Sequence, residues 1–242
     1  MTTFLYVSAR PEWEAATAEY ASFHTALGEQ LVVDRLDLVT TSLTADALER
    51  YDGFVIGGSP FNVSDVARSD VQRRVESDLE QIAQRALDGR AAAFFTCYGI
   101  GVVTRMLGGA VDLEHPESTG ATRIITTSDA SADPVFGLSA PSFLAFTAHK
   151  EASQALPPGA TLLASNEACP VQAYRVGEHL YATQFHPELT PSDFAHRMLF
   201  YRQGGYFDPD EFAAVESAVL AASVTEPRRI LRRFATTLIE KQ

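Results

Sequence analysis

The side chains that could do chemistry in this chain are a thiol, an imidazole and a carboxylate, at Cys97, His186 and Glu188. Cys97 comes just after the apolar run 91–95 and just before a turn of small residues that leads into a helix. That order presents a thiol at the edge of a sheet, and a helix N-terminus favours the thiolate form. Pro187 separates His186 from Glu188, and its fixed φ keeps the two extended so that the carboxylate can hydrogen-bond the imidazole. A nucleophile, a base and an orienting acid are what covalent acyl chemistry requires.

Each of these segments has a simpler interpretation when it is taken alone. A cysteine after an apolar strand is more often a small core residue, and a His-Pro-Glu segment is more often an exposed turn. A third segment strengthens the chemical interpretation, because the apolar run 54–56 leads into Gly57-Gly58-Ser59-Pro60. Consecutive glycines allow a sharp turn that exposes backbone N–H groups, as an oxyanion hole requires. The three segments together favour a cysteine acyl-transfer site.

In their order and spacing, segments 57–60, 97–99 and 184–188 resemble class I (triad-type) glutamine amidotransferases, most closely the glutaminase domain of GMP synthetase. The resemblance covers residues 3 to about 204. It implies a three-layer α/β fold with a mostly parallel, flavodoxin-like central sheet, an antiparallel extension and C-terminal helices. It also implies that Cys97 is the nucleophile, His186 the base and Glu188 the orienting acid.

The resemblance extends to the rest of the site. The backbone N–H groups of Gly58 and Tyr98 would form the oxyanion hole. The family's elbow usually reads Gly-x-Cys-x-Gly-x-Gln, and this chain has Phe95 in place of the first glycine and Gly101 in place of the glutamine. That glutamine helps hold the amino-acid end of the substrate, so the departure concerns the substrate rather than the triad. The expected substrate-binding residues are Gly57, Ser59, Gly101, His149 and Gln184.

His149 has two interpretations. In related amidotransferases a short turn at this place contacts the amino-acid end of the substrate, so His149 could line the site. The alternative is a polar residue whose hydrogen bonds are satisfied at the end of a strand. Cys169 is predicted to be a buried apolar filler, and the segment Glu114-His115-Pro116-Glu117 a polar turn.

The composition argues against several classes of function. Hydrophobic residues make up 46% of the 242 and charged residues 21%, which is typical of a globular protein with a sizeable core. A net charge of −12 argues against nucleic-acid binding, because phosphate contacts need clustered Lys and Arg. No run reaches the ~18 apolar residues of a membrane span, and no secretory signal is evident. Cys97 and Cys169 have neither disulfide nor metal-site spacing, so we expect a cytoplasmic protein with no metal or other cofactor.

Alternating strand and helix patterns predict a parallel sheet in the first hundred residues. Strands are predicted at 3–7, 31–33, 54–56 and 91–95, and helices at 11–26, 43–51 and 69–88. Strand patterns without helices follow at 120–127, 142–147, 161–165, 171–176 and 180–185, and a helix is predicted at 191–203. We expect an amidotransferase-like domain at 1–205 and a C-terminal helical extension at 206–242, packed on the same domain.

The extension is predicted to form two helices that separate near residues 225–227. In the second helix, Ile230, Phe234 and Leu238 share one face. The arginines at 228, 229, 232 and 233 crowd elsewhere on it. They are either solvated, with the helix packed on the core of the chain, or a docking surface for an acidic partner or a second subunit.

Three functions follow from these expectations. The first is a glutaminase that releases ammonia from the side-chain amide of glutamine through a γ-glutamyl thioester and supplies a separately encoded synthetase. The chain contains no Gly-rich phosphate loop for ATP chemistry of its own. The second is a stand-alone hydrolase of γ-glutamyl amides or peptides, with Gly101 leaving room for a different ligand. The third is a non-catalytic binding module, which the intact triad disfavours. A homo-oligomer is compatible with all three.

Overall fold

The structure is a computed structural model that describes residues 2–28 and 31–240. Strands and helices alternate along the first hundred residues, and strands dominate between residues 110 and 185. The strands are β1 (Phe4–Ser8), β2 (Val33–Asp37), β3 (Gly53–Ile56), β4 (Ala92–Thr96), β5 (Val111–Asp112), β6 (Glu117–Thr126), β7 (Ser142–His149), β8 (Ala152–Ser153), β9 (Ala160–Ser165), β10 (Ala173–Val176) and β11 (Leu180–Thr183). The helices are α1 (Trp13–Leu27), α2 (Ala45–Arg50), α3 (Asp70–Leu87), α4 (Tyr98–Met106), α5 (Pro191–Phe200), α6 (Phe212–Ala221) and α7 (Glu226–Glu240).

Nine strands form one sheet in the order β2-β1-β3-β4-β11-β10-β9-β6-β7. The five strands from β2 to β11 are parallel, and the four from β10 to β7 are antiparallel. The parallel part has the flavodoxin-like strand order, which confirms the predicted fold class. Strands β5 and β8 form a separate antiparallel pair.

Helices cover both faces of the parallel strands, so β1, β3, β4 and β11 are buried throughout. On one face, Leu79 of α3 and Val103 of α4 pack against the sheet. On the other, Phe23 of α1 and Phe234 of α7 lie in a second apolar cluster. Among the described residues, no helix is both long and apolar enough to cross a bilayer.

The carboxyl ends of the parallel strands lie along one edge of the sheet, where open α/β sheets bind their ligands. Strand β3 ends just before the glycine pair at 57–58, β4 ends just before Cys97, and β11 ends three residues before His186. The topology therefore brings together three segments that are far apart in the sequence.

The second strand lies further along the chain than predicted, at Val33–Asp37 rather than 31–33. It is an edge strand that pairs with β1, and Val32 is 51% exposed. An edge tolerates polar residues such as Arg35 and Asp37, which pair with each other at 2.9 Å. The apolar run 31–33 therefore lies mostly before the strand and overlaps it only at Val33.

Helix α7 packs on the sheet through Phe234, whose ring lies 5.3 Å from that of Phe94 and 5.8 Å from that of Tyr181. Most of its arginines bind elements of the same chain. Arg233 donates to the carbonyl of Val135 at 2.7 Å and pairs with Glu226 at 2.8 Å. Arg228 and Arg232 also donate to backbone carbonyls, of Glu188 and Ala26 respectively. These arginines therefore attach the helix to the chain, whereas the side chain of Arg229 is 68% exposed.

Candidate active site

Cys97 occupies a sharp turn between β4 and α4 with φ 53° and ψ −105°. Among the described residues it is the one non-glycine with positive φ, a conformation that is strained for a side chain. Its N–H donates to the carbonyl of Thr183 at 2.8 Å, and its carbonyl accepts from Ile100 at 3.1 Å. A Cβ at Gly99 would lie 3.1 Å from Phe95, so glycine lets strand and helix approach this closely. This is the geometry of a nucleophile elbow.

His186 and Glu188 meet Cys97 at the same edge of the sheet. The ring Nδ1 of His186 lies 2.9 Å from Glu188 Oε1, and its backbone N–H donates to the carbonyl of Phe146 at 2.9 Å. The ring and the Cys97 side chain line the same cavity. Imidazole and carboxylate are thus hydrogen-bonded and buried beside the thiol.

The charges around His186 favour its protonated form. Burial alone would lower the pKa of His186, but the charge of Glu188 and the nearby Cys97 side chain outweigh it and raise that pKa to about 9. Burial alone would raise the pKa of Glu188, yet His186 and Arg197 lower it to about 2. Arg197 Nη1 donates to Glu188 Oε1 at 2.9 Å, so two donors converge on one carboxylate oxygen.

A buried carboxylate on α1, Glu19, connects the catalytic edge to the glycine turn. It accepts from Tyr6 Oη at 2.8 Å, pairs with Arg10 at 2.8 Å and lies 3.3 Å from Arg197 Nη1. Sequence analysis did not identify it. The available signal was its position on the buried face of α1, where a charged side chain is rare unless it is paired.

The glycine turn packs directly on Glu19. The Gly58 N–H donates to Glu19 Oε1 at 3.2 Å, and a Cβ at Gly57 would lie 2.0 Å from Glu19 Oε2. A Cβ at Gly58 would lie 2.9 Å from His186 Cε1, so this turn passes against the imidazole. Tyr98, the other expected oxyanion donor, is the first residue of α4, where N–H groups have no carbonyl partner one helical turn back.

Two cavities meet at Cys97. The first has an empty volume of about 430 Å³ and contains His186 in its wall. The second has an empty volume of about 330 Å³ and contains Tyr98, Gly101, His149 and Gln184. Ser59 lines both. The expected substrate-binding residues other than Gly57 therefore line a cavity beside Cys97. Four of the predicted site residues line the second cavity only, and they are Tyr98, Gly101, His149 and Gln184.

Glu151 lines the second cavity, and sequence analysis did not identify it. Its carboxylate accepts from the backbone N–H groups of Val63 at 2.8 Å and Ser64 at 2.9 Å. Burial raises the pKa of Glu151 despite these hydrogen bonds. A Cβ at Gly101 would lie 3.1 Å from Val63 Cγ2 and 3.5 Å from Glu151 Oε1. The space beside Gly101 is therefore bounded by these two side chains.

The sequence of the whole domain agrees with what its geometry indicates. The family model described as Glutamine amidotransferase class-I matches residues 18–203. The chain belongs to this family. Among its relatives, gamma-glutamyl peptidase 3 of Arabidopsis thaliana is 32% identical over 145 residues, which are 58% of this chain and 56% of the peptidase. A glutamine-hydrolyzing GMP synthase subunit of Methanoregula boonei is 26% identical over 168 residues, which are 69% of this chain and 81% of its relative.

Other relatives are much longer than this chain. The match to GMP synthase of Paraburkholderia phytofirmans spans 25% of that enzyme at 26% identity. Solved structures support the amidotransferase fold. A glutamine amidotransferase from Thermotoga maritima superposes with a TM-score of 0.79, covering 99% of this chain and 98% of its own at 16% identity. One from Methylobacillus flagellatus gives 0.71 with 99% and 94% coverage at 17% identity.

In this class I amidotransferase domain, His149 lines the second cavity, and both nitrogens of its buried ring have hydrogen-bond partners. Its Nε2 lies 2.7 Å from Glu117 Oε2, and its Nδ1 lies 3.0 Å from the carbonyl of Glu151.

The prediction of a polar turn was wrong for Glu117, which begins β6 and is buried. Glu117 also accepts from Asn166 at 2.7 Å and from Gln172 at 2.5 Å. These partners lie far along the chain, so a local pattern could not indicate them.

Two buried groups place possible metal-ligand atoms within 4.8 Å of one another. They are Glu117, His149 and Cys169, and Glu19, His186 and Glu188. In both groups the carboxylates already accept hydrogen bonds from side-chain donors. Burial raises the pKa of Cys169 to about 12, which disfavours the thiolate that a metal needs. Cys169 is thus the buried filler that was predicted.

Proposed function

We propose that this domain hydrolyses the amide bond of a γ-glutamyl group through a thioester on Cys97. The observation that carries the proposal is the elbow at Cys97 with the buried pair of His186 and Glu188 hydrogen-bonded behind it. No other described cysteine has comparable surroundings, since Cys169 donates to a backbone carbonyl inside the core. A reducing, cytoplasmic setting belongs to this proposal, because it keeps Cys97 available as a thiolate.

In the proposed reaction, the Cys97 thiolate attacks the γ-carbonyl carbon, and the carbonyl π electrons move to oxygen. The N–H groups of Tyr98 and Gly58 stabilise that oxyanion, and one such donor is typically worth about 3 kcal/mol. His186 then gives its proton to the leaving nitrogen as the C–N bond breaks. A water molecule that loses a proton to His186 attacks the thioester, which releases glutamate and restores Cys97. Glu188 keeps the imidazole oriented and stabilises its cation.

The backbone N–H of Gly58, a proposed oxyanion donor, already has a hydrogen-bond acceptor in the structure. Its N–H is held by Glu19 at 3.2 Å, so an oxyanion must share or replace that acceptor. Arg10 and Arg197 offset the charge of Glu19 and lower its pKa, which burial alone would raise. Glu19 would therefore keep the glycine turn in position before the substrate arrives.

Two leaving amines are candidates. The first is ammonia from glutamine, delivered to a separately encoded synthetase. The GMP synthase relative from Methanoregula boonei supports it, because that relative aligns over most of its own length. The second is a larger amine, and the relative named gamma-glutamyl peptidase supports that alternative.

The test is the formation of glutamate by the purified chain from glutamine and from γ-glutamyl amides. We expect turnover by the wild type and by Cys169→Ser, and less than about one tenth of it in Cys97→Ser, because an alcohol replaces the thiolate nucleophile. Full turnover in Cys97→Ser, or none in the wild type, would sink the proposal.

A further inference from the structure

The two cavities at Cys97 differ in which catalytic group they contain. His186 lines the first cavity, whereas Tyr98 and Gln184 line the second. In the proposed reaction the group that protonates the leaving nitrogen must face it within hydrogen-bonding distance. The leaving amine therefore belongs in the first cavity, and the γ-glutamyl group in the second.

The polar groups of the second cavity suit that division. A γ-glutamyl group carries an α-ammonium and an α-carboxylate, which need charged or hydrogen-bonding partners when they leave water. The second cavity offers Asn62, Lys150 and the buried carboxylate of Glu151. It can therefore hold the part of the substrate that all γ-glutamyl compounds share.

The first cavity has a different lining. Half of its twelve lining residues are aromatic or apolar, and Phe194, Met198, Tyr201 and Phe207 line this cavity alone, whereas Ala148 and Tyr206 line both cavities. The charges beside it are already matched within the protein, because Arg10 pairs with Glu19 and Arg197 with Glu188. A charged ligand group would find no unmatched counter-charge among these four residues.

The size of the first cavity exceeds what ammonia needs. The centre of a water-sized molecule can occupy about 40 Å³ of it, whereas roughly 10–15 Å³ of such space is enough to hold one water or ammonia molecule. Ammonia would leave the apolar side chains of this cavity in contact with water. An apolar group of the substrate would remove them from water, which is favourable for binding.

Segment 204–207, which contributes Tyr206 and Phe207 to the wall of the first cavity, is hydrogen-bonded to neighbouring parts of the site. Lys150 Nζ donates to the carbonyl of Gly204 at 2.7 Å and lies 4.9 Å above the ring of Tyr206. The N–H of Thr119 donates to the carbonyl of Tyr206 at 3.3 Å, and the ring of Phe207 packs on Phe212. The wall is thus built from two sides, by the turn at Lys150 and by the residues that follow α5.

We propose that the natural substrate is a γ-glutamyl amide whose leaving amine has an apolar or aromatic body, and not free glutamine. This inference rests on the proposed function, because it takes His186 as the proton donor. It makes the domain a stand-alone hydrolase whose specificity lies in the amine that it releases.

The first experiment compares glutamine, γ-glutamyl methylamide and γ-glutamyl benzylamide, which share one acyl group. We expect kcat/KM for the benzylamide to exceed that for the methylamide by about tenfold or more, since even one buried methylene can be worth that much. Equal values for the three substrates would overturn the inference and leave the proposed function standing. No hydrolysis of any of them would overturn both.

The second experiment removes intrinsic differences between the amides by comparing variants. In Phe207→Ala the ratio of benzylamide to methylamide kcat/KM should fall about fivefold or more, because the amine loses part of its apolar wall. The control is Leu199→Ala. Leu199 lies on α5 and is 53% exposed, so this variant should keep the wild-type ratio. A ratio that is unchanged in Phe207→Ala, or that falls equally in Leu199→Ala, would contradict a role for this wall.

Discussion

The backbone N–H of Gly58 donates to the carboxylate of Glu19 at 3.2 Å, which ties the glycine turn to the first helix. The same oxygen pairs with Arg10 at 2.8 Å, and Arg197 bridges it to Glu188. One buried carboxylate thus connects the proposed oxyanion donor with the acid behind His186.

Glu19→Gln is expected to destabilise the fold by about 3–5 kcal/mol, because it leaves the buried guanidinium of Arg10 without its carboxylate partner, whereas Arg197 keeps Glu188. Urea unfolding at neutral pH measures this loss. The matched control is Glu14→Gln, an exposed position on the same helix, which should lie within about 0.5 kcal/mol of wild type. Equal stability of the two variants would mean that the buried network is not needed for folding.

The strain at Cys97 has its own signature. A residue other than glycine at φ 53° stores about 1–3 kcal/mol, which glycine does not. Cys97→Gly should therefore unfold with a free energy equal to or above that of Cys97→Ala, although glycine usually destabilises. Denaturant unfolding of the two variants decides this, and a clear disadvantage for glycine would argue against a strained elbow.

The pKa of His186 is expected to fall when Glu188 loses its charge. In the wild type that pKa is raised from 6.5 to about 9, so protonated His186 stabilises the fold below about pH 6.5, and this contribution disappears as pH rises through 9. Glu188→Gln removes the principal charge that raises the pKa and leaves Arg197 nearby. NMR titration of the His186 ring checks the shift, with His186→Ala identifying the signal. An unchanged pKa in Glu188→Gln would mean that Glu188 does not stabilise the imidazolium.

Gly101→Gln tests the departure from the family's elbow. The new side chain would meet Val63 and Glu151 at once, so we expect it to raise KM for γ-glutamyl substrates several-fold. Gly120→Gln is the control, because a Cβ at Gly120 meets nothing within 4 Å. A lower KM for glutamine in Gly101→Gln would instead show that the missing glutamine can be restored and that glutamine is the substrate.

Local patterns were sufficient to predict the strand–turn–helix at Cys97 and the alternating order that makes the sheet parallel. They were sufficient because buried strands and glycine turns leave short apolar and small-residue signals. The roles of Glu19 and Glu117 could not be predicted, since their partners lie far along the chain. Glu19 meets Gly58 and Arg197 only after α1 and α5 dock beside the sheet. A buried charge has no sequence periodicity of its own, and only the folded arrangement shows what it pairs with.

The most direct test of the central claim is to find the residue that a glutamine-like diazoketone alkylates. Such a reagent carries the γ-glutamyl group and forms a stable bond to a reactive thiolate. Peptide mass spectrometry of the treated wild type should show one adduct, on the peptide that contains Cys97, with Cys169 unmodified. Labelling should slow by at least about tenfold in His186→Ala, which lacks the base that generates the thiolate. An adduct on Cys169, or full catalytic turnover after Cys97 is modified, would contradict the assignment of Cys97 as the nucleophile.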